Sequence, residues 1–382
     1  MAHIWRARGQ AARRRFASWG RGGYARAMAR QQTHVRLRSA LRDSLVLAGV
    51  GPPRARMLRT GLCVGASFAV FLAAGRVELA VPAAIFANLM MFLDQGGVFG
   101  ERLAVVSLGI AAAGAAGALG LIASGHEAAI IAGVLALAMA AGLVHGWMPG
   151  FEMIPRQALI CFMGCAYLPI DTRAGWSVLV GGACVLLGIV LDFLIRGRER
   201  HRSFADRRAD ARFPGLAFGL WYGLAAVFGL VFAEFAGASR GYWVTLTIIV
   251  VMQPGSRASM LRALQRLEGT LAGLLFALCV ISVTPSAGLT QLRLCLIFVL
   301  PFVWPHGFVR NYALGVAILS AWIMVLIDLG LPTGDPFIGL FEARLFDTAF
   351  GCVVAMAATI AADAYARRRA KPGAAVHSHP AP

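Results

Sequence analysis

The chain is laid out as apolar blocks separated by short polar, glycine-containing or arginine-rich breaks. Blocks long enough to cross, or nearly cross, a hydrocarbon core lie at roughly 60–75, 79–93, 103–124, 128–147, 157–171 and 175–195. A second series lies at roughly 214–235, 241–253, 264–283, 289–305, 310–330 and 344–364. The pattern predicts an all-α integral membrane protein of about 12 transmembrane helices, or ten to eleven if neighbouring blocks merge into hairpins. Composition agrees: 59% of residues are hydrophobic and 14% charged, with a mean hydropathy of +0.70. About twelve helices of roughly 20 residues would use about 240 of the 382 positions. No room remains for a sizeable soluble catalytic domain.

Charge placement sets the expected topology. The formal net charge is +18, which in a soluble chain would suggest nucleic acid. Here Arg6 to Arg59 precede the first block, Arg196 to Arg212 join the two series, and Arg367, Arg368, Arg369 and Lys371 follow the last block. Arginine-rich short segments stay in the cytoplasm, so all three segments are expected inside, with an even number of crossings in each half and no nucleic-acid partner. Arg257, Arg262, Arg266 and Arg310 also fall on the expected inner side, while the outer loop from Thr284 to Gln291 has no basic residue.

The halves share features that predict two parallel six-helix repeats. Arg102 precedes Gly109 by seven residues, as Arg262 precedes Gly269, and Asp192 precedes Arg196 by four, as Asp363 precedes Arg367. An even-helix unit repeated once gives two halves of the same orientation with a cavity between them. The expected segments are a basic N-terminal tail at 1–59, a first repeat at 60–195, a basic linker at 196–213, a second repeat at 214–365 and a C-terminal tail at 366–382. In the tail, Val35, Leu37, Leu41 and Leu45 form a weak stripe among arginines, as in a helix lying on an anionic lipid surface. The same acid-free composition suits a transit peptide; a twin-arginine signal at Arg13-Arg14-Arg15-Phe16 lacks the apolar stretch it needs.

Candidate chemistry is sparse. The seven cysteines all fall within predicted spans and read as small hydrophobes. Cys161 and Cys165 share a face with no histidine or carboxylate at ligand spacing. His126, His145 and His306 stand near span ends, with His201, His377 and His379 in the linker and tail. No zinc, di-iron or nucleophile–base pattern appears, so the reading is not an enzyme, with no metal and no cofactor. Glycines such as Gly61 with Gly65 and Gly269 with Gly273 allow close helix packing. Glu234, Glu268, Asp328 and Asp347 are the acidic residues in or near second-series spans. Glu234 and Asp347 are expected at the outer headgroups and Asp328 near a span end. Glu268, just inside the ninth span, is the proton-coupling candidate if burial raises its pKa; an ion pair with a neighbouring arginine is the structural alternative.

The densest local signal is Gly241-Tyr242-Trp243-Val244-Thr245-Leu246-Thr247, then Gln253-Pro254, then Arg262, Arg266, Gly269, Thr270 and Gly273, with Arg344, Asp347, Thr348 and Gly351 later. Pro254 ends one helix, and a polar turn feeds Arg262 and Arg266 onto one face of the next. With Arg102 they could form a basic vestibule. A guanidinium grips a carboxylate bidentately while Tyr242 and Trp243 stack on an aromatic ring; alternatively, these residues only obey the inside rule and the aromatic belt. This segment resembles the fusaric acid resistance protein-like family, related to aromatic acid exporters. The resemblance covers roughly 210–365; the first half is a degraded copy in which Leu93-Asp94 stands for Gln253-Pro254. It implies an inner-membrane, proton-coupled secondary transporter exporting aromatic or other small organic acids; on the reading of the residues themselves, Arg102, Arg262, Arg266, Tyr242, Trp243 and Gln253 bind substrate and Glu268 couples protons. The implied partners are the organic anion, the lipid bilayer, a periplasmic adaptor protein and, by similarity to plant anion channels, a second copy in a homodimer. Many members carry large cytoplasmic domains after each half, for which the linker and tail here are too short. Two other readings stand beside it: an anion channel without proton coupling, and a non-transporting membrane scaffold.

Overall fold

The computed structural model describes residues 42–145, 151–168, 172–196, 216–238, 240–283, 290–330 and 337–369. The stripe at Val35, Leu37 and Leu41, most of the linker, residues 284–289 of the expected outer loop and residues 370–382 of the expected tail, with His377 and His379, lie outside them. Met1–Asp43 forms one unit and Ser44–Pro382 another; the helices below belong to the second.

Twelve α-helices are present among the described residues of this unit: α1 (Arg54–Ala73), α2 (Val77–Met91), α3 (Phe99–Ala123), α4 (Glu127–Leu143), α5 (Ile154–Tyr167), α6 (Ala174–Arg196), α7 (Leu216–Phe235), α8 (Tyr242–Val251), α9 (Ser256–Val283), α10 (Thr290–Arg310), α11 (Tyr312–Gly330) and α12 (Phe337–Arg369). Every predicted block coincides with a helix, but not every helix is a membrane span by length. Eight are long and apolar enough to cross: α1, α3, α6, α7, α9, α10, α11 and α12. The other four are short. At 1.5 Å per residue, α8 with its 10 residues rises only about 15 Å, against a hydrocarbon core of about 30 Å. It is apolar nearly all round and buried from Tyr242 to Val251 apart from Leu246 and Val250, as suits a helix enclosed by other helices. In contrast, α9 and α12 start eight and seven residues before the predicted blocks: the first turns of α9 are polar, and in α12 Glu342 and Arg344 interrupt an apolar stretch that begins at Phe337.

Helix packing follows one order in both sets of six. In the first, α1 packs on α2 and α6, α2 on α6, α3 on α5 and α6, and α4 on α5. In the second, α7 packs on α8 and α12, α8 on α12, α9 on α11 and α12, and α10 on α11. Between the sets, α1 lies against α10 and α7 against α4, with smaller seams between α2 and α11 and between α8 and α5. Small residues make the main seams. Gly61 and Gly65 on α1 receive Phe302 and Phe298 of α10, while Gly219 and Gly223 on α7 receive Leu143, Met139 and Leu135 of α4. On α9, Gly269 and Gly273 lie against the backbone carbonyls of Ala313 and Ala317 on α11, so a Cβ at either would collide with main chain.

Two glycine turns close α2 and α8 at the end of the bundle where α1 begins. Gly96 and Gly255 have φ of +75° and +112°, in the region open to glycine and costly for other residues. The first turn is pinned by Asp94, whose Oδ1 accepts from the Gly96 amide at 3.3 Å. In the second, Ser259 Oγ accepts from the Gln253 amide at 2.8 Å and donates to the Gln253 carbonyl at 3.0 Å. Elsewhere the outer surface is apolar, with Leu119, Ile122, Leu187, Ile195, Phe235, Val353 and Ile360 exposed, as lipid contact requires.

Candidate anion-binding site

Arg266 sits ten residues into α9, roughly 15 Å along the helix, and Arg344 projects from α12, which packs on both α8 and α9. Each is 8% exposed, and the two guanidiniums are close enough to act on each other electrostatically. Among the described residues neither forms an ion pair, and Arg266 Nε has no hydrogen-bond partner. Arg344 lies with its guanidinium carbon 4.5 Å from the Trp243 ring centroid, and Arg240 lies 5.5 Å from the same ring. Tyr242 meets Trp243 edge-on at 5.7 Å and stacks on Tyr167 of α5 at 5.6 Å. Asp347, one turn from Arg344 on α12, is 1% exposed with Oδ2 unpartnered, and the Thr270 hydroxyl is buried and unpartnered as well. The expected place of Asp347 at the headgroups is corrected here: α12 begins before the predicted block, which carries the residue inward. The group combines three guanidiniums, one carboxylate and an aromatic wall. A charge at mid-membrane costs about 2.5–3.5 kcal/mol even on the milder scale, so cations kept there with open donors are suited to meet an anion.

Arg102 has a different setting. Its Nε and Nη2 donate to the two oxygens of Asp94 at 2.9 and 3.1 Å, and its Nη1 reaches Asp192 of α6 at 3.0 Å. Arg59 of α1 bridges the same carboxylates, 2.6 Å from Asp94 and 2.8 Å from Asp192. The result is a closed ring of two arginines and two aspartates tying α1, α3, α6 and the α2–α3 turn together. Burial alone would raise the pKa of Asp94, but Arg59 and the hydrogen-bonded Arg102 hold its carboxyl below the usual carboxylate range.

Arg262 stands one turn before Arg266 on the same face of α9, with its guanidinium carbon 4.0 Å from the Tyr312 ring centroid. Beside it, His145 follows the end of α4. Burial, then Arg156 and Arg262, push its imidazole down to about 3, while a hydrogen bond with the Gln253 side chain acts the other way. The ring is therefore neutral at physiological pH, and its Nδ1 accepts from Arg156 Nη2. Glu268 is half-buried and accepts from Ser44 Oγ at 2.7 Å, with its other oxygen unpartnered. The segment carrying Ser44 is held by Asn311 Nδ2, which donates to the Ser44 and Val46 carbonyls at 2.6 and 3.0 Å. Glu234 is exposed and accepts from the Tyr167 hydroxyl, and Asp328 pairs with Arg293 at 2.7 Å. Among the described residues no cluster could hold a metal ion, and all seven cysteines are free thiols.

The structure thus brings Arg266, Tyr242 and Trp243 into one region and Arg262 with Gln253 into a neighbouring one, and it places Arg102 in the ion ring. Arg344 had entered the sequence reading only in a closing motif, yet it lies against Trp243 and near Arg266, with Asp347 one turn away. Arg156 carried no signal, standing one residue before a predicted span.

The helices that carry this site, α7 to most of α12, fall within a family match. Residues 220–358 match the fusaric acid resistance protein-like family. The match includes every residue of the Arg266–Arg344 group on α8, α9 and α12 and excludes the ion ring. An inner membrane protein of Escherichia coli K12, YccS, is 32% identical over 135 residues, which is 35% of this chain and 18% of that protein. An uncharacterized membrane protein of Bacillus subtilis 168, YvaC, is 33% identical over 159 residues, 41% of this chain and 24% of that protein. The chain therefore aligns with less than a quarter of the length of these curated relatives. No solved structure matches it at a significant level.

Proposed function

We propose that this fusaric acid resistance-like membrane protein is an inner-membrane secondary transporter that exports small organic, aromatic acids in exchange for protons. The observation that carries the reading is the buried Arg266 and Arg344 pair, free of ion pairs among the described residues and lined by Trp243 and Tyr242. A guanidinium binds a carboxylate through a planar fork, and an aromatic ring finds an aromatic neighbour. Two parallel six-helix repeats are the architecture that goes with it, supported by the common packing order of α1–α6 and α7–α12 and by the glycine pairs of α1 and α7. The arginine-rich end, with Arg54, Arg59, Arg257 and Arg310, then faces the cytoplasm.

Proton coupling needs a carboxyl that competes with substrate or answers its arrival. Glu268 was the sequence candidate and keeps one oxygen free beside the Ser44 segment. Asp347 is placed to compete directly, since it acts on Arg344 from the same helix. Its protonation would leave that guanidinium to a substrate carboxylate. In proteoliposomes holding the purified protein, an imposed proton gradient is expected to drive uphill benzoate movement; Asp347→Asn is expected to leave downhill exchange while abolishing the uphill component. Benzoate current set by voltage alone, with no proton movement, would make the protein a channel. No movement of benzoate or other aromatic acids at normal protein levels would remove the transport reading.

A further inference from the structure

We propose that Arg156, Arg262 and His145 form a second station for a small carboxylate, one helical turn nearer the arginine-rich end than Arg266. This deepens the anion-transport reading and rests on it for its purpose, although the site can be tested without transport. Arg156 of α5 is 9% exposed, and its Nε has no hydrogen-bond partner. One of its terminal nitrogens is used by His145 Nδ1, and the other lies 3.7 Å from the Met153 sulfur, a weak acceptor. A nearly buried guanidinium whose Nε is idle and which pairs with no carboxylate among the described residues is costly unless something anionic visits it.

The neighbours are suited to that visitor. His145 spends Nδ1 as an acceptor, so its N–H is on Nε2, where the Gln253 side chain holds it and a carboxylate would compete for it. Arg262 rests on Tyr312 by the face of its guanidinium, which leaves the donors at the edge of the plane. Gln253 hydrogen-bonds His145, and the Tyr222 hydroxyl donates to the Ile249 carbonyl while accepting from Arg156. The charged groups acting on His145 are Arg156 and Arg262, and the one acting on Tyr222 is Arg156. Glu268, the acidic residue nearest along α9, is turned to Ser44. The cluster gathers side chains from the α4–α5 connection, α5, the α8–α9 turn and α9, at the seam where α5 meets α8. Arg262 and Arg266 are four residues apart, about 6 Å along the axis, so a carboxylate held at the first station is one short step from the second.

The test is calorimetric titration of the full-length protein in lipid nanodiscs with benzoate as the probe. Arg266→Ala, which disables the central pair, is expected to retain one equivalent of bound benzoate. Adding Arg156→Gln to that variant should weaken the remaining binding about 30-fold, and Arg156→Lys should recover part of the loss. If Arg156→Gln lowers the melting temperature, Arg262→Gln, at a half-buried position, serves in its place. The proposal is overturned if Arg266→Ala binds no benzoate, if the double variant binds as well as the single one, or if chloride displaces benzoate at equal concentration. Wild-type protein that binds none overturns it too. Benzoate bound to Arg266→Ala, together with no flux through the wild type, would instead sink the transport reading and leave this site standing.

Discussion

Alanine in place of Arg344 is expected to lower benzoate flux through proteoliposomes about 100-fold, with Arg266→Ala falling by a similar factor. A hydrogen bond to a charged group is worth about 1.5–3 kcal/mol, and a forked guanidinium makes two, so about 3 kcal/mol, or two powers of ten, is at stake. Lysine at 344 restores charge without the fork and should recover only part of the flux. Arg173→Ala, at an exposed position, is the control and should leave flux unchanged. Equal flux in Arg344→Ala and wild type, at equal amounts of folded protein, would take Arg344 out of the site. A loss matched by a collapse in size-exclusion behaviour would assign it to packing instead. Because Trp243 lies against Arg344, Trp243→Leu should weaken aromatic acids more than acetate, a difference that a purely structural tryptophan would not produce.

The largest expected effect on stability lies at the ion ring. Asp94→Asn removes the charge that holds Arg59 and Arg102, and breaking a buried pair in this way costs about 3–5 kcal/mol. The midpoint of thermal unfolding in detergent should fall by about 10 °C. Replacing all four ring residues by apolar side chains of similar size should cost less than this single change, because no buried charge is then left unpaired. The pH dependence has a definite sign. The carboxyl of Asp94 is held below its ordinary range when folded, so its contribution is complete above the unfolded value near pH 4 and is lost as pH falls through the lowered folded value. Wild type and Asp94→Asn should therefore differ throughout the neutral range and converge only in strong acid. A variant that melts with the wild type at pH 7 would show that the ring holds nothing together.

Much of this organisation could be read from the chain, and the parts that could not have identifiable causes. Long apolar blocks located all twelve helices because hydrophobicity is a local property. The crossing status of α8 was not local: ten apolar residues look the same whether they face lipid or other helices, and only the packing of α7, α12 and α5 around them decides it. Arg266 with Tyr242 and Trp243 was legible from the spacing of one segment. Arg344 lies about 80 residues later and reaches the same place through the α9–α12 seam, which no spacing rule encodes. Arg102 matched Arg262 in sequence position, yet the two differ in company: Asp94 stands in the first α2–α3 turn, where the second half has the neutral Gln253-Pro254 turn. A single acidic residue thus converts one arginine into a structural tie and leaves its counterpart open.

Ionic strength should separate these two populations of arginine. Arg59 and Arg102 are locked to carboxylates in a ring whose formal charges sum to zero, with Asp94 fully shielded from solvent; mobile ions reach it poorly and have no net field to screen. At the arginine-rich mouth of the bundle the exposed Arg54 and Arg257 act through water, where a Debye length of about 8 Å at physiological salt already trims their reach. Added salt should then slow the capture of anions at that mouth while the bundle itself stays as firmly tied as before.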